Sequence, residues 1–436
     1  MAYTVGFHTL GCKVSQYETE AVAEEFERLG FIRGDFDGVC DVYVINTCTV
    51  TAESDRKSRQ MIRRAAKQNP NACVLVMGCS SQRDPESVGK IEGVSYVIGT
   101  NGKMRLPAVA LDLLRGHDPA SHIAVSALDG APFEDMRVEH APRTRAYVKI
   151  EDGCECRCAY CAIPSARGPV RSKAPEAVIA EVSALVRGGC REVVLTGIET
   201  ASYGVDLDGY RLIDLIEALD GTEGLERIRL GSLTPEVLRD DFIERLSRIR
   251  TLAPHFHLSV QSGCSRTLAE MRRRYNAAFA LDAMRKLREK IPGVMFTCDM
   301  MVGFPGETAE DFAESLAFAR CARFLDMHVF AYSPRSGTEA ATRKDQVSGE
   351  EKRARSAEMI ALGREIRAEI LRGIAQSGGE YRVLFETERD GVSFGHTDSF
   401  IEVCAEGTGL GSRLALIEPI AFSEDILKCK IKRIYE

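Results

Sequence analysis

The segment DGCECRCAYC contains the residues whose spacing is most informative about chemistry. Its cysteines Cys154, Cys158 and Cys161, here called the first trio, are separated by three and two residues, with Cys156 as an extra thiol between them. Thiolates are soft ligands, and this spacing in a loop lets several of them reach one metal centre. Structural zinc sites usually add a second, distant pair of ligands, and no such pair follows. The pattern favours a four-iron cluster with one iron open to a small molecule, over a zinc site or three structural thiols.

A second set of cysteines follows predicted strands near the N-terminus. Cys12, Cys48 and Cys79, here called the second trio, end the segments HTLGC, VYVINTC and VLVMGC. Because the carboxyl ends of parallel strands meet at one edge of a sheet, where ligands bind in open α/β folds, these three thiols are expected to lie together. Cys40 and Cys73 stand at or before strand starts, at the opposite edge. The alternative is that all five are small buried apolar residues.

Composition limits the class of protein. The chain has 436 residues, of which 44% are hydrophobic and 28% charged, which excludes disorder and fibrous folds. No segment is apolar enough to cross a membrane and no export signal stands out, so we expect a cytoplasmic protein. Its fifteen cysteines are therefore expected to stay reduced and to serve metal or redox chemistry rather than disulfides. The net charge of −7 argues against a globally basic nucleic-acid coat.

Alternating strand and helix patterns indicate the elements that position these thiols. Residues 1–116 predict an open parallel α/β domain, followed by a linker over 117–142 that is rich in Pro, Gly and Asp. Residues 143–371 contain six strand candidates alternating with helices, which predicts a full or partial parallel (β/α) barrel. The first trio follows the first of these strands, at the edge where such barrels hold their working residues. Residues 372–436 predict a small β-barrel of short strands.

These motifs resemble one enzyme family along essentially the whole chain. The spacing CxxxCxxC is similar to the cluster motif of radical S-adenosylmethionine enzymes. TLGCKVSQYETE, VINTCTVTAESDRKSR and VMGCSSQ resemble the N-terminal domain of methylthiotransferases. DGCECRCAYCAIPSARGPVRS, HLSVQSGCSRTLAEMRRRY and DMMVGFPGETAEDF resemble their radical domain, and the tail resembles their RNA-associated TRAM barrel.

The resemblance implies two [4Fe-4S] clusters and S-adenosylmethionine as cofactors. In that family, the cluster of the first trio cleaves S-adenosylmethionine to a radical, and the second trio holds the cluster that carries the transferred sulfur. A second S-adenosylmethionine supplies the methyl group, and a reducing electron donor and a sulfur source are also implied. The alternative from another class is a non-catalytic RNA-binding protein in which the cysteines hold a structural metal.

Further candidate cofactor-binding residues stand at predicted strand ends. The resemblance places Tyr160 near the adenine. Polar groups that end apolar strands are positioned to bind the ribose or the methionine part, whereas a simple turn or core packing is the alternative for several of them. Glycines permit close backbone approach. The candidates are Tyr160, Gly197, Glu199, Ser232, Gln261, Gly303 and Tyr332.

The context of Cys12 indicates the substrate. TLGCKVSQYETE is most similar to the group that modifies threonylcarbamoyladenosine next to the tRNA anticodon, whose pattern is LGCKVNxYE, with Ser15 here in place of Asn. The resemblance therefore implies a tRNA substrate and the product 2-methylthio-N6-threonylcarbamoyladenosine. A ribosomal-protein aspartate and isopentenyladenosine in tRNA are the alternatives.

RNA binding requires positive charge. Six basic residues and no acidic residue occur from 56 to 67, which predicts an RNA-facing helix; the alternative is a solvated face. The tail from 372 to 436 has eight Lys or Arg and eleven Asp or Glu, so its barrel is less basic than RNA binding would favour. Stacking by Phe394, His396 and Phe400 would compensate. The basic candidates are Arg56, Lys57, Arg59, Arg63, Arg64 and Lys67.

Overall fold

The computed structural model describes residues 2–140, 144–423 and 426–435. Its N-terminal domain is a six-stranded parallel sheet in the order β2-β1-β3-β4-β5-β6, flanked by helices. The strands are β1 (Thr4–Thr9), β2 (Ile32–Gly34), β3 (Val42–Thr47), β4 (Cys73–Gly78), β5 (Val94–Ile98) and β6 (Ile123–Ala124), and the helices are α1 (Lys13–Arg28), α2 (Ala52–Gln68), α3 (Cys79–Arg83), α4 (Pro85–Gly89) and α5 (Leu106–Leu114). The predicted open parallel α/β domain is confirmed. Strand β6 falls inside the segment predicted as a linker.

The central domain contains all six predicted parallel strands. One of them is divided into β11 and β12, so that they form the sheet β11-β10-β7 and the sheet β12-β13-β14-β15, while β8 and β9 form a short antiparallel ribbon. The strands are β7 (Arg145–Lys149), β8 (Glu151–Asp152), β9 (Arg171–Ser172), β10 (Glu192–Thr196), β11 (Arg227–Leu230), β12 (Ser232–Leu233), β13 (His255–Gln261), β14 (Met295–Val302) and β15 (Asp326–Ala331). The helices are α6 (Ile163–Arg167), α7 (Pro175–Arg187), α8 (Leu212–Asp220), α9 (Asp240–Leu246), α10 (Ser265–Glu270), α11 (Ala277–Lys290), α12 (Ala309–Ala322), α13 (Glu339–Thr342) and α14 (Gly349–Ser377).

Gly231 alone separates the two parallel sheets of this domain. Its N–H donates to the carbonyl of Leu195 on β10 at 2.7 Å, and a Cβ at this position would lie 2.9 Å from that oxygen. The run of strands thus continues from β7 to β15 across a local break. Over the described residues β7 and β15 do not pair, so the barrel is a partial one.

One apolar core runs through both domains and the segment between them. Val5 and Phe26 of the N-terminal domain, Met136 and Val138, and Leu195 of the central domain all belong to it. The segment predicted as a linker is therefore packed between the domains instead of forming a free tether. Residues 141–143, which include the predicted domain boundary, lie outside the described residues.

The C-terminal strands close into a barrel in the order β16-β17-β18-β20-β19. They are β16 (Tyr381–Arg389), β17 (Val392–Thr397), β18 (Glu402–Glu406), β19 (Leu414–Ser423) and β20 (Ile426–Ile434). The predicted start at Arg372 is too early, because α14 continues to Ser377. None of the helices among the described residues is both long and apolar enough to span a membrane.

Candidate active site at the junction of two domains

The loop between β8 and α6 carries the first trio. Each of its three sulfur atoms accepts a hydrogen bond, as the thiolate ligands of iron–sulfur clusters commonly do. The donors are the backbone N–H of Cys156 toward Cys154, that of Ile163 toward Cys161, and the Arg273 guanidinium toward Cys158, each at 3.4 Å. The loop is thus already organised around sulfur atoms.

The thiols of this loop differ in how readily they ionise. Burial raises the pKa of Cys161 to about 12. A side-chain hydrogen bond with Cys154 lowers the pKa of Cys156 to about 7, and the same contact raises the pKa of Cys154. Cys156 therefore contacts the first trio, although it is not one of the three cysteines of the CxxxCxxC motif.

The second trio lies at one edge of the N-terminal sheet, as its strand-end positions predict. Cys12 immediately precedes α1, Cys48 follows β3, and Cys79 is the first residue of α3. Gly11 has a φ of 119°, and a Cβ there would lie 3.4 Å from Cys48 Sγ, so glycine lets the Cys12 segment pass close to Cys48. Burial raises the pKa of Cys79 to about 11.

Two arginines connect the second-trio region with the central domain across the junction. Arg167, the last residue of α6 and close behind the first trio in sequence, donates from Nε to Cys79 Sγ at 3.1 Å. Arg83 follows Cys79 by one helical turn and donates to Ser165 Oγ at 3.2 Å and to the carbonyl of Ser336 at 2.7 Å. Both trios consequently face the same junction.

A cleft of about 620 Å³ opens at this junction. Such a volume lies in the range of small-molecule sites and is sufficient for a nucleoside. Thiols of the first trio and side chains of the N-terminal domain share its wall. The lining includes Gln82, Arg83, Cys158, Cys161, Arg272 and Ser336.

Behind the cleft, a buried ion network ties α1 to the central domain. Glu18 accepts from Lys149 Nζ at 2.7 Å and from Arg167 Nη1 at 2.6 Å, and Lys149 also donates to Asp152 at 2.7 Å. Burial alone would raise the pKa of Glu18, but Arg167, Lys103 and Lys149 outweigh it and hold that pKa well below its usual range. Removing one partner of such a network would leave an uncompensated buried charge, so the two domains are held in a fixed arrangement.

The thiol arrangement fits iron–sulfur clusters. Among the described residues, no three His, Cys, Asp or Glu side chains converge as ligands of one metal ion. Each cysteine of a [4Fe-4S] cluster binds a different iron, so its ligands need not converge on one point. The hydrogen bonds to the sulfur atoms of the first trio and of Cys79 match the same chemistry.

Gly197 and Glu199 lie beyond the carboxyl end of β10, against the buried carboxyl of Glu151. A Cβ at Gly197 would lie 2.5 Å from Glu151 Oε2, so glycine is required for this approach. The N–H of Glu199 donates to the same oxygen at 2.9 Å. Burial raises the pKa of Glu199 to about 7 and that of Glu151 well above its usual range. The turn thus holds two carboxyls at the strand edge where a cofactor would bind.

Gln261 is the last residue of β13, as predicted, whereas Ser232 is the first residue of the neighbouring strand β12 and pairs with His257, so the two side chains lie at opposite ends of these parallel strands. Ser232 Oγ is 2.5 Å from Ser259 Oγ, so its hydroxyl already has a partner. Gln261 is buried, has a φ of 69°, and its Oε1 has no hydrogen-bond partner among the described residues. An unsatisfied buried acceptor in a strained backbone is a feature of ligand-binding positions, and it supports Gln261 more strongly than Ser232.

Tyr332 belongs to a small apolar cluster beside the first trio, Tyr160 packs against that cluster, and Gly303 directly precedes its member Phe304 in sequence. Tyr332 is buried, its ring centroid is 5.8 Å from that of Phe304, and its hydroxyl has no partner among the described residues. Gly303 has a φ of 70°, and a Cβ there would lie 2.4 Å from Lys352 Cγ. The close approach at Gly303 is therefore to α14, whereas the prediction attributed it to the cofactor.

The predicted basic helix is α2, and most of its charges are already paired. Ion pairs with acidic side chains engage four of its six basic residues. These pairs are Arg56 and Lys57 with Glu53, Arg59 with Asp84, and Arg64 with Asp37. Over the described part of the chain, Arg63 and Lys67 are exposed and lack an acidic partner. The helix begins beside the cleft, where the N–H of Ala52 donates to Ser333 Oγ at 3.2 Å.

Two of the aromatic residues expected to stack on RNA instead dock the barrel on the central domain. Phe400 is stacked between His255 and His396, with ring centroids 4.7 and 4.6 Å away. The guanidinium groups of Arg145 and Arg229 lie 5.3 and 4.9 Å from its ring centroid. His396 and Phe400 are thus occupied within the molecule, because the outer turn of the barrel faces β7, β11 and β13.

The structure adds three arginines that the sequence did not single out for the thiol sites. Arg167 and Arg273 each donate to a thiol, and Arg83 crosses the junction. The available signal was modest: Arg83 follows Cys79 at helical spacing, and Arg273 lies in a run of three arginines. Which thiol each side chain reaches depends on how the domains dock, which no local pattern encodes.

Comparisons with known proteins agree with this architecture. The model of the Radical SAM superfamily matches residues 148–319, and that of Uncharacterized protein family UPF0004 matches residues 4–99. The structure of a radical S-adenosylmethionine methyltransferase, TsrM, from Kitasatospora setae has a similar fold, with a TM-score of 0.57 and 15% identity over 78% of this chain and 74% of that chain.

Curated relatives span nearly the whole chain. Threonylcarbamoyladenosine tRNA methylthiotransferase MtaB of Bacillus subtilis (strain 168) is 40% identical over 410 residues, which are 93% of this chain and 91% of the relative. The tRNA-2-methylthio-N(6)-dimethylallyladenosine synthase of Carboxydothermus hydrogenoformans is 34% identical over 385 residues, which are 87% of each chain. The chain therefore belongs to the radical SAM methylthiotransferases, a family of transferases, and both of these relatives are named for acting on tRNA.

Proposed function

We propose that this enzyme converts N6-threonylcarbamoyladenosine next to the anticodon of tRNA into 2-methylthio-N6-threonylcarbamoyladenosine. The observation that carries the reaction is that Cys158 and Cys161 of the first trio line a cleft at the domain junction, while Arg167 reaches Cys79 of the second trio across the same junction. A carbon radical must meet sulfur before it meets water, and two centres that face one junction would meet that requirement. Similarity over 93% of the chain to a relative named for threonylcarbamoyladenosine supports the choice of substrate.

The two trios would hold two [4Fe-4S] clusters, one of which also binds S-adenosylmethionine. When bound, these groups supply the radical, the sulfur and the methyl group. Within the chain, Gln261 and the Glu199 turn would bind the methionine or ribose part, since both present polar groups at the strand edge beside the first trio. Tyr160 and Tyr332 would close the apolar side. An external electron donor and a sulfur source complete the proposal.

The RNA would approach along α2. This helix starts at the cleft and presents Arg63 and Lys67 to solvent. Phosphate contacts by such side chains position RNA without reading its sequence. They would guide the anticodon arm toward the second trio, which directly precedes the helix through Cys48.

The test is nucleoside mass spectrometry on tRNA from cells that lack the gene and from cells complemented with variants. Wild-type complementation should restore 2-methylthio-N6-threonylcarbamoyladenosine, whereas Cys158→Ala and Cys48→Ala should each restore none. In purified protein, Cys158→Ala should abolish cleavage of S-adenosylmethionine to 5′-deoxyadenosine, because it removes a ligand of the radical-forming cluster. Cys48→Ala should retain that cleavage. Thiolation by Cys48→Ala would disprove the sulfur-carrying role of the second trio.

The second candidate substrate is isopentenyladenosine, since a dimethylallyladenosine synthase is also similar over most of the chain. If the threonylcarbamoyl nucleoside is unchanged in the deletion strain while 2-methylthio-isopentenyladenosine is lost, this candidate replaces the first. If both nucleosides are unchanged, the small-subunit ribosomal protein becomes the target to examine.

A further inference from the structure

Arg167 ends α6, the helix that follows the first-trio loop, and its side chain reaches Cys79 of the second trio. It is fully buried at the end of α6, and all three guanidinium nitrogens have partners. Nε donates to Cys79 Sγ at 3.1 Å. Nη1 and Nη2 donate to Glu18 at 2.6 and 3.2 Å, and Nη1 also lies 3.3 Å from both carboxylate oxygens of Asp152.

The buried cations around Arg167 outnumber the buried carboxylates, so neutralising those carboxylates is not the only role of Arg167. Two buried carboxylates, Glu18 and Asp152, face four cations within the same network. These are Lys103, Lys149, Arg167 and Arg171. Glu134 compensates one of the lysines. The network therefore retains positive charge, and Nε of Arg167 directs it at sulfur.

The guanidinium is also held in one orientation. Glu18 binds its two terminal nitrogens through both carboxylate oxygens, a geometry that only a planar, forked donor provides. With that edge fixed, Nε necessarily faces Cys79. Lysine at this position would keep the charge but has a single donor atom, so it cannot serve Glu18 and Cys79 in the same way.

We propose that Arg167 is a positioning residue for the second centre, where its hydrogen bond to the sulfur of Cys79 orients that ligand and makes the cluster bound there easier to reduce. A hydrogen bond to a ligating sulfur withdraws electron density and stabilises the reduced, more negative cluster, and buried positive charge acts in the same direction. The proposal rests on the proposed function, because it requires a cluster at the second trio. Under this proposal α6 serves both centres, because it follows the first-trio loop directly and carries Arg167, which contacts Cys79.

The test isolates the second centre in the full-length protein. Cys154→Ala, Cys158→Ala and Cys161→Ala together remove the ligands of the first cluster, and the remaining cluster is reconstituted and titrated with reductant under anaerobic conditions. Electron paramagnetic resonance then gives the ratio of reduced to oxidised cluster at each potential. Arg167→Lys in this background should lower that ratio several-fold at a fixed potential.

Arg171→Lys is the matched control. Arg171 belongs to the same buried network and donates to the carbonyls of Arg167 and Pro169, but it contacts no thiol. It should leave the ratio unchanged, and both variants should keep the circular dichroism of the parent. Loss of iron from Arg167→Lys alone would also support the positioning role.

Three results would overturn the proposal. The first is an unchanged ratio in Arg167→Lys with full iron content. The second is an equal change in both variants, because Arg167 would then act only through the stability of the network. The third is a parent that binds no iron at the second trio, which would contradict the proposed function itself and not only the role of Arg167.

Discussion

Glu199 is a buried acidic residue of the candidate site with a raised pKa. Its carboxyl is buried beside Glu151, and burial raises its pKa to about 7. Near neutral pH it is therefore divided between the neutral and charged forms. A ligand that carries an ammonium group would favour the charged form. Binding of such a ligand at this turn should therefore release the proton from those molecules in which Glu199 is still neutral.

The same shift makes the stability of the apoprotein depend on pH. A carboxyl whose folded pKa exceeds its unfolded value binds more protons in the folded state, so it favours folding at low pH and loses that contribution as pH rises through about 7. Glu199→Gln removes this dependence. We expect the stability of the variant relative to wild type to increase from about pH 5 to about pH 8, by up to roughly 3 kcal/mol. Thermal denaturation of both apoproteins across this range measures it, and a constant difference would contradict the assigned shift.

At the scale of single residues, the sequence predicts which thiols share a sheet edge but not what each thiol touches. Cys12, Cys48 and Cys79 follow strands that pair in register, so their placement depends on strand order alone. The donors to the sulfur atoms come from other elements. Arg167 reaches Cys79 only because two domains dock, and no sequence pattern around either residue predicts that contact.

Among the elements, α2 shows how neighbouring segments modify a sequence pattern. The segment from residue 56 to residue 67 contains basic and no acidic residues, but several of its charges are paired with acidic side chains outside the segment. Glu53 precedes it in the same helix, and Asp37 comes from an earlier part of the chain. Surface ion pairs of this kind contribute little stability, but they reduce the charge available to a polyanion. Arg63 and Lys67 should therefore contribute most of the RNA-binding charge of this helix.

We expect the double variant Arg63→Ala, Lys67→Ala to weaken tRNA binding to a similar extent whatever the tRNA sequence. The dependence of log K on log salt concentration should become shallower by about 0.7–0.9 for each lost phosphate contact. Filter binding or fluorescence anisotropy over a salt series measures this slope. Lys90→Ala removes an exposed lysine of the same domain outside the helix and should leave the slope unchanged. Equal slopes in the double variant and wild type would show that RNA does not contact α2.

The long strands and helices followed the sequence pattern closely, whereas the short ones did not. Apolar runs predict the six parallel strand segments of the central domain and the three strands before the second trio. Strands β2 and β6, of three and two residues, are too short for periodicity to show. The start of the barrel was misplaced because α14 is polar on most of its surface, so its end is not marked by a change in hydropathy.

At the scale of the whole molecule, the barrel is docked rigidly on the central domain. Phe400 has a left-handed φ of 69°, which is uncommon for a bulky residue, and its ring lies between two histidines and two guanidinium groups. An ion pair of 3.1 Å between Arg227 and Asp398 reinforces the contact. The barrel therefore presents to RNA the faces that point away from this stack.

Phe400→Ala should loosen this docking without unfolding the barrel. The loss of the stacked pair with His255 and of two cation–π contacts predicts a cost of about 1–3 kcal/mol in the docking equilibrium. Limited proteolysis should then cut faster between α14 and β16, and hydrogen exchange should increase at the edge of β13. Phe394→Ala is the matched control, because Phe394 lies in β17, before the turn that carries Phe400, and takes no part in the stack. Identical cleavage rates in Phe400→Ala and wild type would show that the stack does not hold the barrel.

The two trios also differ in their contact with solvent. Cys12 is exposed, whereas Cys48 and Cys79 are buried and every thiol of the first trio is partly covered. Oxidation of a thiol requires access to it, so air should damage the second centre first, at Cys12. A preparation handled in air would then still consume S-adenosylmethionine while transferring no sulfur. Such uncoupled turnover would reflect the history of a sample rather than a property of the enzyme.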